Sequence, residues 1–174
     1  MSGTLCHVSV AGNLSPEQNL PRALGLLRER GGLAGLSTFY STPALGRPDQ
    51  PDYLNGVAAV RFDGEARALK FGVLRGIEDE LGRVRTADRY AARTIDLDLL
   101  TFGDDVIDED GLVLPDPDLW HRPFLAAGVL ELTPDLVVPG TGRYLRELAD
   151  ATAIARLAPA REFTRAALER LGLQ

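Results

Sequence analysis

Arg93-Thr94-Ile95-Asp96-Leu97-Asp98-Leu99-Leu100 alternates apolar and polar side chains with a period of two over most of its length. A helix cannot sort that pattern onto two sides, but an extended strand does: Ile95, Leu97 and Leu99 take one face, Asp96 and Asp98 the other. The fold must therefore contain a sheet with a covered apolar face here and a second face that holds two carboxylates. Residues two apart on a strand lie about 6.6–6.8 Å apart, so the two acids repel unless positive charge meets them. That separation suits a pair of hard cations and a polyphosphate, although for an isolated Asp-x-Asp a solvated acidic face comes ahead of a metal site.

The preceding residues favour the phosphate reading. From Gly82 to Arg93 the chain carries Arg83, Arg85, Arg89 and Arg93 against Asp88 alone, a local +3 in a protein whose formal net charge is −6. Guanidinium forks match phosphate oxygens, so arginines beside paired carboxylates describe a nucleotide-phosphate clamp around a metal. The alternative is an Arg–Asp network internal to the chain.

The acidic balance, with a pI near 4.9, argues against a nucleic-acid partner, which calls for a basic face. A single cysteine, Cys6, excludes an intrachain disulfide and a cysteine-built zinc site and reads as a small buried hydrophobe. No run approaches the ~20 apolar residues of a membrane span, and the first residues lack a basic leader with an apolar stretch, so a cytoplasmic protein without a membrane partner is expected. The 174 residues suit one domain, 1–174. Lys70, the only lysine among 19 basic residues, reads as compositional bias rather than function.

Along the chain, Leu5 to Val10 predicts a strand and Ser15-Pro16-Glu17 a helix start, with Ser15 as N-cap and Leu20, Leu24 and Leu27 on one face up to Gly31-Gly32. His7 on that strand reads as a packed or edge residue. Leu36 to Ser41 predicts a second strand, followed by a Pro-rich loop from Thr42 to Asp52 with the length of a lid or binding loop. In the strand Tyr53 to Phe62, Tyr53 and Asn55 share a face, as a stacking ring and an amide would beside a flat heterocycle, although strand-edge decoration fits as well. A helix is predicted from Glu65 to Leu81, with Leu69, Val73, Ile77 and Leu81 four apart. The acidic residues from Asp104 to Asp110 lack the calcium-loop spacing and read as solvated surface. Phe124 to Leu132 and Tyr144 to Ala149 predict helices, Leu136 to Pro139 a short extended piece. The tail from Ala151 has Phe163, Ala167 and Leu168 at helical spacing and predicts an accessory helix that packs on the domain or on a partner subunit.

Four segments, VSVAGNLSPEQNL, FYSTPALGRPDQPDYLNGV, GRVR…RTIDLDLLTFGDDVI and LVLPDPDLWHRPFLAAGVLELTPDLVVP, resemble in order and spacing the 6-hydroxymethyl-7,8-dihydropterin pyrophosphokinases of folate biosynthesis, over about residues 5–148. The resemblance implies an α+β fold: a ferredoxin-like antiparallel sheet with helices on both faces. It implies transfer of a pyrophosphoryl group from ATP, as co-substrate, to the hydroxymethyl of the dihydropterin, releasing AMP, with two magnesium ions (Mg2+) and no Walker P-loop. Asp96 and Asp98 would hold both ions. Arg83 and Arg93 would meet the triphosphate with Arg122 near it, Arg85 and Arg89 would ride on a mobile catalytic loop, and Glu78 would lie on the nucleotide side. Thr42, Pro43, Leu45, Tyr53, Asn55 and Phe124 would form the pterin pocket, the ring lying between Tyr53 and Phe124. A monomer or weak homodimer is expected.

The chain departs from that pattern in three places. Ala11-Gly12-Asn13 stands where the family has Gly-Ser-Asn, and Tyr90-Ala91-Ala92-Arg93 where it has Trp-Gly-Pro-Arg. Pro115-Asp116-Pro117 replaces a Pro-His-Pro whose histidine contacts ATP. An anion at Asp116 would weaken nucleotide binding by repulsion, with His121 the candidate to compensate. A divergent paralogue that binds a pterin or nucleotide without this turnover, or a kinase acting on a related alcohol, are the alternatives.

Overall fold

The computed structural model describes residues 3–88 and 90–173. Its sheet is built around β1 (Thr4–Gly12), whose Cys6, Val8 and Val10 are fully buried because β1 has an antiparallel neighbour on each side. After β1, Ser15 occupies the N-cap position of α1 (Pro16–Gly31), but with φ 44° and no side-chain capping bond, so Pro16 rather than a serine cap sets the helix start. Leu20, Ala23, Leu24 and Leu27 seat α1 on the sheet. Gly32 closes it at φ 71°, where a Cβ would lie 2.3 Å from the Arg61 carbonyl oxygen.

The second expected strand is two. β2 (Leu33–Leu36) and β3 (Tyr40–Thr42) both pair with β4 (Tyr53–Phe62), and the chain breaks from the ladder between them. The Ser37 hydroxyl accepts from the Val57 N–H at 2.9 Å while the Ser37 N–H donates to the Val57 carbonyl at 2.9 Å, so a side chain takes one of the ladder positions.

The predicted helix from Glu65 to Leu81 is also corrected. It consists of a π-helical segment, Ala68–Leu74, followed by α2 (Arg75–Glu80). A π turn adds a residue, so the buried positions run Leu69, Leu74, Ile77, with Leu74 rather than Val73 in the core. The same extra residue turns Glu78 inward, where it is 4% exposed.

β5 (Asp96–Phe102) lies on the other side of β1, beginning three residues later than expected. A register shift opposite His7 and Val8 leaves Leu100 as an extra residue in β5 and turns it to the face opposite Leu97 and Leu99. The sheet thus separates two cores. Val8, Val10, Ala58, Val60, Leu97 and Leu99 pack under α1 and the π segment. Val57 and Leu100 face Leu119 of α3 (Asp118–His121) and Leu125 and Val129 of α4 (Pro123–Leu132). This is the expected α+β arrangement, a ferredoxin-like sheet with helices on both faces. Between β5 and α3, β6 (Ile107–Glu109) and β7 (Leu112–Leu114) form a hairpin. After α4, β8 (Val137–Val138) pairs with β9 (Arg143–Tyr144), and α5 (Leu145–Leu148) and α6 (Ala151–Ala155) follow.

The tail does more than lay a helix on the surface. β10 (Ala158–Pro159) adds an edge strand beside β3, and α7 (Arg161–Leu171) returns to the α1 side. The Thr164 hydroxyl accepts from the Phe39 N–H at 2.9 Å, and Phe163 meets the Phe39 ring edge-on at 5.0 Å between centroids. No helix among the described residues is long and apolar enough to cross a membrane.

Candidate active site

Directly paired residues in an antiparallel sheet point to the same face, so the register defines the site's floor. Asp96 lies opposite Ala11, Ala11 opposite Asn55 and Asn55 opposite Tyr40, while Asp98 lies opposite Ser9 and Ser9 opposite Val57. The two small residues of β1 leave space between the β5 carboxylates and the polar groups of β3 and β4. Tyr53 and Thr42 form the next row, and the Asn55 amide donates to the Thr42 hydroxyl at 2.8 Å. Phe124, on the first turn of α4, borders the same face.

The carboxylates are surrounded by cations. Arg83 donates to Asp96 and to the Ile95 carbonyl at 2.7 Å and lies 3.1 Å from Glu78, and Arg93 donates to the other Asp96 oxygen. The buried Glu78 accepts from the Leu97 N–H at 3.0 Å and from Arg85, which also meets Asp79 at 2.8 Å. Burial pushes the Glu78 carboxyl above its ordinary range, with the Leu97 N–H and the arginines pulling against it. The arginines are thus held by an internal network, the arrangement that the sequence left as the alternative to a phosphate clamp. Asp96 and Asp98 remain 28% and 48% exposed along their side chains, open enough to take a ligand.

The two loops beside the floor are tied together. The Asn13 side-chain Oδ1 accepts from the Arg93 N–H at 2.8 Å, and its Nδ2 donates to the Gln50 side-chain oxygen and to the Pro51 carbonyl at 3.2 and 3.1 Å. Arg47 meets Asp88 at 2.6 Å, and the Gln50 amide donates to the Tyr90 carbonyl at 3.1 Å. Pro43 and Leu45 lie on the first of these loops, both exposed, Leu45 by 65%. Arg122 occupies the N-cap position of α4 without a side-chain capping bond and pairs with Asp118 at 2.7 Å. Arg89 lies outside the described residues.

Sequence reasoning passed over three residues. Asn13, 1% exposed, clips β1 to both loops, and its place in the strand-turn segment was the available signal. Lys70, on the π segment, reaches Asp98 at 2.9 Å. Phe71 beside it lines an open groove of about 560 Å³ with Arg67, Arg75, Asp110 and Gly111, and the Arg67 and Arg75 guanidiniums lie 5.0 and 4.5 Å from its ring centre. Asp116 also faces this region: burial raises its carboxyl, Asp98 raises it further, and the Asp118 N–H and Lys70 act in the opposite direction. His121 is exposed beside Trp120, and the cation facing Asp116 is Lys70.

Among the described residues no three His, Cys, Asp or Glu side chains converge as a metal cage. The donor set on β5 is two hard carboxylates, and magnesium is characteristically held by one or two carboxylates plus waters and substrate phosphates. The residues present therefore fit an ion that arrives with a nucleotide.

Residues 7–134 match the family model described as 7,8-dihydro-6-hydroxymethylpterin-pyrophosphokinase. The chain belongs to that family. Among curated members, the 2-amino-4-hydroxy-6-hydroxymethyldihydropteridine pyrophosphokinase of Synechocystis is 34% identical over 168 residues, covering 90% of this chain and 84% of the relative. The Haemophilus influenzae enzyme of that name is 36% identical over 139 residues, 78% of this chain and 85% of the relative. A Plasmodium falciparum HPPK-DHPS structure with pteroate superposes with a TM-score of 0.63 at 12% identity, covering 98% of this chain and 44% of that one, a likeness of fold. This chain thus spans under half of that longer polypeptide.

Proposed function

We propose that the protein transfers the β,γ-pyrophosphoryl group of ATP to 6-hydroxymethyl-7,8-dihydropterin, giving AMP and the pterin diphosphate. The hydroxymethyl oxygen forms a bond to the β-phosphorus, the bond from that phosphorus to the α,β-bridging oxygen breaks, and the bridging oxygen leaves on AMP while the hydroxyl proton is released. The observation that carries this reading is the pair Asp96 and Asp98 on one face of β5, flanked by Arg83, Arg93 and Lys70, with Ala11 between Asp96 and Asn55 and Tyr53 in the row beyond. Two magnesium ions held by Asp96 and Asp98 would neutralise phosphate charge and align the phosphorus.

The chain's own residues do the rest by position. Arg83 and Arg93 exchange an Asp96 oxygen for phosphate oxygens, Arg122 supports them, and Arg85 and Arg89 close from the loop. Glu78, buried, holds Arg83 and Arg85 in place instead of touching the nucleotide. Asn55 and Thr42 read the heterocycle's polar edge, Tyr53 and Phe124 supply aromatic faces, and Pro43 and Leu45 cover it. The groove at Phe71 suits the base, since its volume lies within the roughly 300–1,000 Å³ of small-molecule sites. The whole chain, tail included, acts as one unit, in the cytoplasm where ATP is supplied, as a monomer or weak homodimer.

Chromatography of nucleotides after incubation with ATP, magnesium and the hydroxymethyl-dihydropterin tests the reading. AMP that requires both magnesium and the pterin is expected. ADP in its place, or no turnover with pterin binding retained, would overturn it in favour of a kinase for a related alcohol or a binding paralogue.

A further inference from the structure

Lys70 stands at the opposite end of the carboxylate row from the arginines. Arg83 and Arg93 both converge on Asp96, and the ion pair recorded for Asp98 is with Lys70, at 2.9 Å. Only 18% of the Lys70 side chain is exposed, against 48% for Asp98, so the ammonium is pinned beneath the carboxylate instead of reaching it from solvent. The π segment places Lys70 immediately before Phe71, whose ring lines the groove, and so between that groove and the carboxylates.

Asp116 approaches the same point from another element. Its N–H donates to the Leu100 carbonyl at 2.9 Å and one of its side-chain oxygens accepts from the Asp118 N–H at 2.8 Å, which fixes the carboxylate at the end of β5 where it faces both Asp98 and Lys70. The ammonium thus pairs with Asp98 and acts on the Asp116 carboxylate through space. An ammonium has three donors on a flexible stem, so it can keep one partner while another is replaced.

We infer that Lys70 is a phosphate-binding residue at the AMP end of the nucleotide, positioned by Asp116. When Asp98 turns to a metal-bound nucleotide, the Lys70 ammonium passes from Asp98 to a phosphate oxygen next to the groove, and Asp116 keeps it from swinging into solvent. Asp116 then assists nucleotide binding through Lys70, although an isolated anion at that place would oppose it. This rests on the nucleotide-transfer reading above.

Calorimetry on the full chain tests it with two probes, AMP and α,β-methylene-ATP with magnesium, the latter because the bond that breaks is blocked. Loss of one charged hydrogen bond weakens binding about ten- to a hundredfold, and Lys70→Met is expected to do this for both probes while leaving the melting midpoint and the pterin affinity near those of the parent. Asp116→Asn is expected to weaken both probes as well, and to add nothing further in the Lys70→Met background. Unchanged nucleotide affinity in Lys70→Met would overturn the assignment, and so would an equal loss of pterin affinity. Should Lys70→Met not fold, Asp116→Asn decides alone: tighter nucleotide binding, as plain charge repulsion requires, would contradict the proposal. Since these are binding measurements, a parent protein that forms no AMP removes the pyrophosphoryl-transfer reading without deciding the Lys70 result.

Discussion

His7 is a buried imidazole between two hydroxyls, with Nδ1 2.7 Å from Thr101 Oγ1 and Nε2 2.9 Å from Thr133 Oγ1. A neutral ring satisfies both, one nitrogen donating and the other accepting. Burial pushes its pKa from 6.5 down to about 4, so the folded state holds the neutral form and protonation opposes folding. The associated stability is complete above pH 6.5 and is lost as the pH falls towards 4. At about 1.36 kcal/mol per unit, the shift corresponds to about 3 kcal/mol. Urea unfolding of the parent and of His7→Gln, which keeps a donor and an acceptor, should diverge by about that amount over this range, and parallel curves would show that His7 does not titrate with folding. The sequence displayed this residue as packed because one histidine on an apolar strand has few other uses. Asp96 and Asp98 were legible for a comparably local reason, the two-residue period of a strand. Lys70 was not, because nothing near it in sequence announces an ion pair with a strand that lies beyond a helix and a loop.

At the level of elements, the breaks in regular structure are what place the site, and a spacing rule does not see them. Leu69, Val73, Ile77 and Leu81 predict a continuous α-helix, but the π turn carries Leu74 into the core and aims Glu78 at Arg83 and Arg85. Gly72 is exposed and has nothing within 4 Å of where a Cβ would stand. Deleting it removes the extra residue and leaves Leu69, Leu74 and Ile77 at the i, i+4, i+7 spacing of an ordinary α-helix, so the inward face that includes Glu78 is kept. The shortened protein should keep its helical circular dichroism and most of its AMP formation, whereas Glu78→Ala should lose at least about tenfold, since Arg83 and Arg85 lose a buried charged partner. Retained activity in Glu78→Ala would show that Glu78 does not position them. The Ser37 break between β2 and β3 was equally hidden, because it depends on a hydroxyl meeting Val57 across the sheet.

For the whole molecule, the tail shows how far the core extends beyond the residues that match the family. Removing residues 158–174 strips the edge strand from β3, uncovers the fully buried Phe39 and takes away the Thr164 acceptor for its N–H. A loss of at least about 3 kcal/mol is expected, a fall in melting midpoint on the order of 10 °C, and an unchanged midpoint would reduce the tail to surface decoration. The mixture of α and β was readable from the strand and helix periods and the ferredoxin-like sheet only through the family resemblance, whereas β10 was not readable, since two residues carry no period. The sheet so completed sets the two carboxylates, with Arg83 and Arg93 on Asp96, and Asn55 and Tyr53 on one face, and we propose that this face moves two phosphates in one step. A rapid-quench single turnover with excess enzyme, ATP, magnesium and 6-hydroxymethyl-7,8-dihydropterin tests it most directly. Pterin diphosphate should appear one-to-one with AMP, with no pterin monophosphate at any time, and should vanish in Asp96→Asn and Asp98→Asn proteins that still melt like the parent. A monophosphate that precedes the diphosphate, or an active Asp98→Asn protein, would contradict it.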